Sequence, residues 1–115
     1  MKTSAVLRGV RLSAQKGRLV ADQIRGKSVE EALAILAVSN RRFSRPLRKL
    51  LRSALANAEQ KNERDRAGID VDNLVVHRVN VDQGPSPWRI QTRAQGRANW
   101  IQHKTSHVSV VLAEE

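Results

Sequence analysis

GPSPWRIQTRAQGRANWIQHKTSH, residues 84–107, offers little that a protein core would bury, and it decides the fold of this chain. Its charged residues are all cations: Arg89, Arg93, Arg97 and Lys104. Compact domains rarely contain so long a segment unless it is functional or disordered. Closely spaced arginines among glycine, proline and two tryptophans are typical of contact with phosphates and bases. The alternative is a flexible basic loop.

The runs on either side of this segment alternate apolar with polar residues, as half-buried strands do. Antiparallel pairing of residues 71–81 with residues 108–112 predicts that the segment leaves one end of a sheet as an arm. A β-hairpin with its turn near residues 94–96 fits such an arm. The predicted inward residues are Val75, Val79 and Val81 in the first run and Val108, Val110 and Leu112 in the second.

The first third of the chain predicts a strand and two helices. Residues 3–12 alternate loosely, as a strand does. Ser13 is a suitable N-cap for a helix that ends at Arg25, because Gly26 adopts the left-handed stop without steric cost. Ser28 and Glu31 have the spacing of a capping box for the second helix, which continues with Leu33, Ile35 and Leu36. The inner stripe predicted for the first helix is Leu19, Val20 and Ile24.

A third helix has the clearest amphipathic pattern, with its cations opposite the apolar stripe. Pro46 is tolerated only in a first turn. The helix therefore begins near Ser44, or it begins near Asn40 and bends, and only the second case adds Arg41 and Arg42 to the cationic side. Polar residues 62–68 predict a loop. The stripe is Leu47, Leu50, Leu51, Ala54, Leu55 and Ala58, and the cations opposite it are Arg45, Arg48, Lys49 and Arg52.

These elements predict one domain with three helices and an antiparallel pair of strands, from which the arm projects. Its body is residues 1–83 and 105–115, and its arm is residues 84–104. A chain of 115 residues has the length of one domain. The lack of cysteine excludes disulfides. No run approaches the roughly 20 apolar residues of a membrane span, and no signal-type segment begins the chain, so we expect a soluble, unprocessed cytoplasmic protein without a membrane partner.

The net charge of +10 is unevenly placed. Residues 2–18 hold five cations, residues 41–52 hold six, and neither segment has a carboxylate. Such a charge repels itself unless a polyanion neutralises it. With the arm, these segments predict three separate basic surfaces and a partner that touches several sides. An ordinary solvated helix face remains the alternative for residues 41–52.

Five segments, in order and in register over most of the chain, resemble the bacterial large-subunit ribosomal protein twenty-two family. The resemblance implies an α+β fold in which three helices pack on a small antiparallel β-sheet, with a long protruding β-hairpin arm. It also implies a structural constituent of the large ribosomal subunit that binds large-subunit ribosomal RNA, supports subunit assembly and lines the nascent-peptide exit tunnel with its hairpin. The segments are SAQKGRLVADQIRGKSVEEALAIL at 13–36, LLRSALANAEQ at 50–60, VDQGPSPWRI at 81–90, RAQGRA at 93–98 and KTSHVSVVL at 104–112.

The expected partners are therefore large-subunit ribosomal RNA, neighbouring ribosomal proteins and, transiently, the nascent peptide. Neither an enzymatic activity nor a cofactor nor a metal is expected. The family motifs also match Gly84, Ile90, Ala94 and Ala98. The candidate RNA-binding residues, from the family motifs and the charge pattern together, are Arg8, Arg11, Ser13, Gln15, Lys16, Arg18, Arg25, Lys27, Arg41, Arg42, Arg45, Arg48, Lys49, Arg52, Pro85, Ser86, Trp88, Arg89, Arg93, Gly96, Arg97, Trp100, Lys104, Thr105, Ser106 and His107.

The arm departs from the family where members commonly carry Lys, Arg or Pro. Our hypothesis is that Trp88 and Trp100 partly compensate by stacking on bases or on neighbouring arginines. The alternative is that the two rings pack against each other across the hairpin. The departing positions are Trp88, Gln91, Thr92, Gln95, Trp100, Gln102 and His103.

Three other functions compete with the ribosomal one. Residues 13–38 imitate the spacing of a helix-turn-helix regulator, but Glu30 and Glu31 lie at the end meant for base edges. A free RNA chaperone would have a similar charge. For an enzyme, Asp70 and Asp72 have the spacing of solvated or capping carboxylates rather than of metal ligands. His77 is expected to be a half-buried packing residue, and His103 and His107 lack partners at ligand spacing.

Overall fold

The computed structural model describes residues 2–65 and 71–114. Within these ranges the chain forms three α-helices on an antiparallel sheet, with a separate β-hairpin, which confirms the predicted fold class. Short 3-10 turns lie at Val71–Asn73 and Ala94–Gly96. The elements are β1 (Lys2–Val10), α1 (Ala14–Ile24), α2 (Val29–Val38), α3 (Ser44–Asp65), β2 (Leu74–Gln83), β3 (Trp88–Thr92), β4 (Ala98–Gln102) and β5 (Ser106–Glu114).

β5 is the central strand of the sheet and pairs antiparallel with both β1 and β2. Its residues Val108, Val110 and Leu112 are buried beneath the helices, as predicted. The pairing of β2 with β5 continues to Gln83 and Ser106, where both strands end. The chain between these two residues therefore leaves the sheet at one end, and the predicted arm is confirmed as the β3–β4 hairpin.

The alternation of β2 is interrupted at His77, where the register with β5 shifts between Val76 and Arg78. An extra residue in one strand reverses which side chains point inward, so Val76 is buried before the bulge and Val79 after it. The prediction that Val75 lies on the inward face is therefore wrong, since it is only half-buried. His77, expected to be half-buried, is exposed for the same reason.

α1 begins and ends as predicted, but a different face is buried. The Ser13 hydroxyl accepts a hydrogen bond from the Lys16 N–H at 3.3 Å, and Gly26 follows the helix with φ of +81°. Leu19 is 50% exposed, so its placement on the inner stripe is wrong. At 100° per residue it lies about 160° from the centre of the buried stripe. That stripe includes small residues that apolarity alone does not single out: Ala14, Gly17, Val20, Ala21 and Ile24.

α2 is capped by Ser28, whose hydroxyl accepts a hydrogen bond from the Glu31 N–H at 3.3 Å. α3 begins at Ser44, the first of the two predicted alternatives, so Arg41 and Arg42 precede the helix. Its predicted apolar stripe is confirmed, with Leu55 half-buried and the other members buried.

The loop predicted for residues 62–68 is wrong over residues 62–65, which continue α3. Glu and Arg are good helix formers, and no breaker interrupts these positions. Residues 66–68 lie outside the described residues.

The outer edge of β2 is covered by α1 and the turn that follows it. The Gly26 N–H donates to the Val76 carbonyl at 3.0 Å, and the Val76 N–H donates to the Lys27 carbonyl at 2.8 Å. Farther along, the Arg25 guanidinium donates to the Val79 carbonyl at 2.8 Å. Nε of Arg18 donates to the Val81 carbonyl at 3.1 Å. These bonds satisfy edge groups that would otherwise be open to another strand.

The hairpin gives the molecule an elongated shape, with principal extents of 64 × 27 × 16 Å. Its radius of gyration is 17.4 Å, whereas a compact chain of this length has about 13 Å. The difference follows from β3 and β4, which among the described strands pair only with each other.

Gly17 is required by the contact between α1 and Phe43. A Cβ at Gly17 would lie 2.5 Å from Cε2 of the buried Phe43 ring. We expect Gly17→Ala to lower the free energy of unfolding by about 1 to 3 kcal/mol in urea denaturation followed by circular dichroism. Gln23→Ala, on the exposed side of the same helix, should change it by less than about 0.5 kcal/mol. Equal stability of Gly17→Ala and the wild type would contradict this close contact.

Arg18 should contribute to stability through the edge of β2. Arg18→Gln removes the bond to the Val81 carbonyl, and we expect it to lower the free energy of unfolding by about 1 kcal/mol. Lys16→Gln is the matched control, since the Lys16 side chain is exposed and makes no hydrogen bond within the described residues. The same urea measurement checks both variants. An unchanged free energy of unfolding for Arg18→Gln would contradict a stabilising hydrogen bond between Arg18 and the Val81 carbonyl.

Candidate nucleic-acid interface

The arm is joined to the body by a hydrogen-bonded root. The Gly84 N–H donates to the Thr105 carbonyl at 3.0 Å, and the Thr105 hydroxyl donates to the Pro85 carbonyl. The His103 N–H donates to the Pro87 carbonyl at 3.0 Å. The outgoing segment (residues 84–87) and the returning segment (residues 103–105) thus stay hydrogen-bonded to each other between the sheet and the hairpin. The root therefore fixes the direction in which the arm leaves the body.

His107 joins this root to β1, whose register with β5 shifts between Leu7 and Val10, and it packs against Gly84. The Gly9 N–H donates to Nδ1 of His107 at 3.1 Å, and Gly9 has φ of +76°. A Cβ at Gly84 would lie 2.8 Å from the Thr105 hydroxyl oxygen and 3.1 Å from Nε2 of His107. At least one ring nitrogen of His107 therefore has a structural role, whereas the sequence had made this residue a candidate for contact with RNA.

A concave surface lies between the arm and the start of α1, and we call it the arm groove. Arg11 and Lys16 line it from the body, and Arg89 and Lys104 line it from the arm. None of the described residues that line it carries a carboxylate. The remaining lining residues are Leu12, Ser13, Pro87, Gln102, His103 and Thr105.

A second concave surface, the helix groove, lies between the end of β1 and the start of α3. Arg11 and Leu12 line this groove as well as the arm groove. The two grooves therefore adjoin at Arg11. The other basic residues that line the helix groove are Arg41, Arg42, Arg45 and Arg48. Its remaining lining residues are Val10, Leu36, Ala37, Ser39, Asn40, Ser44 and Pro46.

The fold thus brings the three basic segments of the sequence together at the two grooves. The sequence had predicted three separate basic surfaces, and that prediction is wrong. The physical reason is the position of the β1 end. Val10 pairs with Ser106 at the arm root, so the residues that follow it lie between the arm and α3. This adjacency depends on which strands pair, and the number of charges in each segment of the sequence does not reveal that pairing.

The cations of the two grooves are free of internal ion pairs. Within residues 2–65 and 71–114, none of their side chains forms a salt bridge, and the Arg89 guanidinium donates only to the neighbouring Trp88 carbonyl. Arg25 differs, because its guanidinium lies 2.6 Å from the Asp22 carboxylate and also holds the β2 edge. Free cations in a concave surface without acids attract a polyanion.

Several predicted site residues lie outside the two grooves. Lys27 is near the opposite end of β2, about 25 Å along the strand from the arm root. Arg8 shares a shallow depression with Asp82 and His107. Lys49 shares one with Arg45 beside the helix groove. Exposed residues without a groove include Gln15, Arg18, Arg52 and Pro85.

Ser106 is completely buried, and its hydroxyl makes no hydrogen bond within the described residues. Its side chain does not reach the surface, so we leave it out of the candidate interface. Ser86 is half-buried and donates to the Gly84 carbonyl at 3.4 Å. Ser106 shows the limit of transferring a motif to a surface, because within KTSH Lys104 is exposed, Thr105 and His107 are half-buried and Ser106 is buried.

The hairpin tip carries the remaining predicted residues. Gln95 and Gly96 have φ of +64° and +72°, which closes the turn near the predicted position. Arg93 and Arg97 flank it, with the Arg93 N–H donating to the Arg97 carbonyl. All residues from 87 to 100 are exposed.

Sequence reasoning missed part of the uncharged lining of both grooves. Asn40, Gln102 and His103 line them but were not among the predicted site residues. Their positions next to predicted cations were the available signal. Among the described helices, none is long and apolar enough to cross a membrane.

The family described as Ribosomal protein L22p/L17e matches residues 5–113 of the chain. This range contains nearly all of the body, both grooves and the whole arm. It also confirms the resemblance drawn from five sequence segments. The chain therefore belongs to the L22p/L17e family and is a structural ribosomal protein of the large subunit.

Proposed function

We propose that this protein binds large-subunit ribosomal RNA through the arm groove, the helix groove and the arm, supports assembly of the subunit, and lines the nascent-peptide exit tunnel with the arm. The observation that carries the proposal is the position of Arg11. It joins two basic grooves, whose described lining residues include no acid, into one surface that continues onto the hairpin. A single folded polyanion can contact all of it at once.

Electrostatics favours RNA over other partners of this surface. The net charge of +10, with groove arginines that have no salt bridge within the described residues, makes the free protein self-repulsive. Phosphates remove that repulsion, and guanidinium groups bind them with two parallel hydrogen bonds. Binding then releases counterions, so its affinity must fall steeply with salt. Contact with several parts of one RNA also gives the protein a means to favour the folded subunit during assembly.

The arm suits a narrow passage inside a ribonucleoprotein. It is a ribbon of two short strands, β3 and β4, with a hydrogen-bonded root that sets its direction. Such a ribbon fits between RNA helices where a globular domain does not. We propose that residues 84–104 form this RNA-embedded arm and that the nascent peptide contacts it only in passing.

The surface that we propose for contact with neighbouring ribosomal proteins is the acidic side of α2. α2 presents Glu30 and Glu31, both exposed, on its first turn. Acids at this position repel phosphates, so we propose that this side of α2 faces away from the RNA. The same feature weakens the alternative of a DNA-binding regulator, whose second helix would have to enter the major groove with these residues leading.

Arg11→Gln tests the joined surface directly. We expect it to reduce affinity for large-subunit ribosomal RNA by about tenfold at constant salt, since a charge-assisted contact is lost. It should also lower the slope of log affinity against log salt by about 0.7 to 0.9 for each phosphate contact removed. Filter binding across a salt series measures both quantities.

Arg64→Gln is the matched control for this measurement. Arg64 is exposed near the end of α3 and lines neither groove. Its substitution should leave the salt slope unchanged. Identical slopes for Arg11→Gln and the wild type would contradict the proposed interface.

Sedimentation separates a ribosomal component from a free RNA chaperone. A tagged copy of the protein should sediment with large subunits through sucrose at high salt, because a protein that contacts RNA on several sides dissociates slowly. Recovery at the top of the gradient would instead favour the chaperone.

A further inference from the structure

The arm has two chemically different faces. Successive residues of a strand point to opposite sides, so the pairing of β3 with β4 determines which side chains share a face. One face carries Trp88, Ile90 and Trp100, and the other carries Arg89. The pairs on the first face are Trp88–Gln102, Ile90–Trp100 and Thr92–Ala98, and those on the second are Arg89–Ile101 and Gln91–Asn99.

The cationic face continues to the tip of the arm. Arg93 and Arg97 have extended backbones that prolong β3 and β4. Each lies an even number of residues from a second-face position, Arg93 from Arg89 and Arg97 from Asn99. Alternation therefore places Arg93 and Arg97 on the same side as Arg89. No aspartate or glutamate occurs in residues 84–107 to neutralise them.

The opposite face is apolar and uncovered. Trp88, Ile90 and Trp100 are 57%, 60% and 66% exposed. Trp88 and Trp100 are diagonal neighbours across the ribbon, about 7 to 8 Å apart at the backbone. Any contact between the two indoles leaves more than half of each exposed, so mutual packing does not account for them.

We propose that the face of Trp88, Ile90 and Trp100 is a stacking surface for unpaired bases of the RNA whose phosphates the cationic face contacts. The inference rests on the proposed function and adds to it the chemistry of the second face. RNA supplies both flat apolar bases and phosphates on one molecule. An apolar peptide matches only one face and leaves the arginines uncompensated. Stacking on an indole also needs no particular base, because each base has an aromatic face.

Intrinsic fluorescence provides a direct test, because Trp88 and Trp100 are the only tryptophans and the chain has no tyrosine. Emission excited at the long-wavelength edge of indole absorption therefore reports on the arm alone. Trp88→Phe and Trp100→Phe each leave one reporter. The probes are poly(A) RNA and inorganic polyphosphate, which offers negative charge without bases. We expect poly(A) to quench the wild type and both variants, and polyphosphate to bind at low salt without quenching.

Affinity measurements separate the two faces. Trp100→Ala should lower affinity for poly(A) by about tenfold without changing the salt slope. Arg97→Gln should lower that slope by about 0.7 for the lost phosphate contact and still show full quenching at saturation. Both side chains are exposed on the arm, so circular dichroism of the body should be the same in the two variants.

Each contrary result has a distinct meaning. Normal binding of RNA without quenching overturns the stacking surface and leaves the proposed function intact. Equal quenching by polyphosphate also overturns it, because charge neutralisation alone then rearranges the arm. A spectral change with an apolar peptide but not with RNA overturns it in favour of a protein partner. Failure of filter binding to both poly(A) and large-subunit ribosomal RNA overturns the proposed function as well.

Discussion

The antiparallel pairing of β2 with β5 is the constraint on which the rest of the structure depends. It buries the valines of both strands under the helices and ends at Gln83 and Ser106, so the intervening chain must leave the body at one point. The same pairing leaves the other edge of β2 free for α1. Because β1 pairs with the second side of β5, the end of β1 also meets the arm root. The same strand pairing therefore both forms the core and positions the basic surface.

The arginines of this protein fall into two groups with different physical roles. Arg18 and Arg25 donate to carbonyls along the β2 edge, and Arg25 also pairs with Asp22. The groove arginines have no carboxylate partner within the described residues and remain available to phosphates. The net charge calculated from the composition counts the arginines of both groups alike. Their separation by geometry explains how a chain with so large a net charge can fold and still keep a surface open to a polyanion.

Much of this arrangement could be predicted from the sequence where local rules decide it. Ser13, Ser28 and Gly26 define helix ends through backbone hydrogen bonds and a positive φ, and the alternation of β5 is unbroken. Leu19 was placed wrongly because small residues, rather than large apolar ones, form the buried side of α1. The bulge at His77 and the meeting of three basic segments at Arg11 depend on strand register, which no single window of sequence contains. The burial of Ser106 has the same origin.

The common exit of both arm strands has a mechanical consequence. A force on the hairpin tip draws β2 and β5 in the same direction, so it does not separate them from each other. The load falls instead on the bonds between β5 and β1 and on the α1 side chains that hold the β2 edge. These bonds lie side by side along the pulling direction and must yield together in shear. The body therefore acts as an anchor against a force that is applied at the tip of the arm.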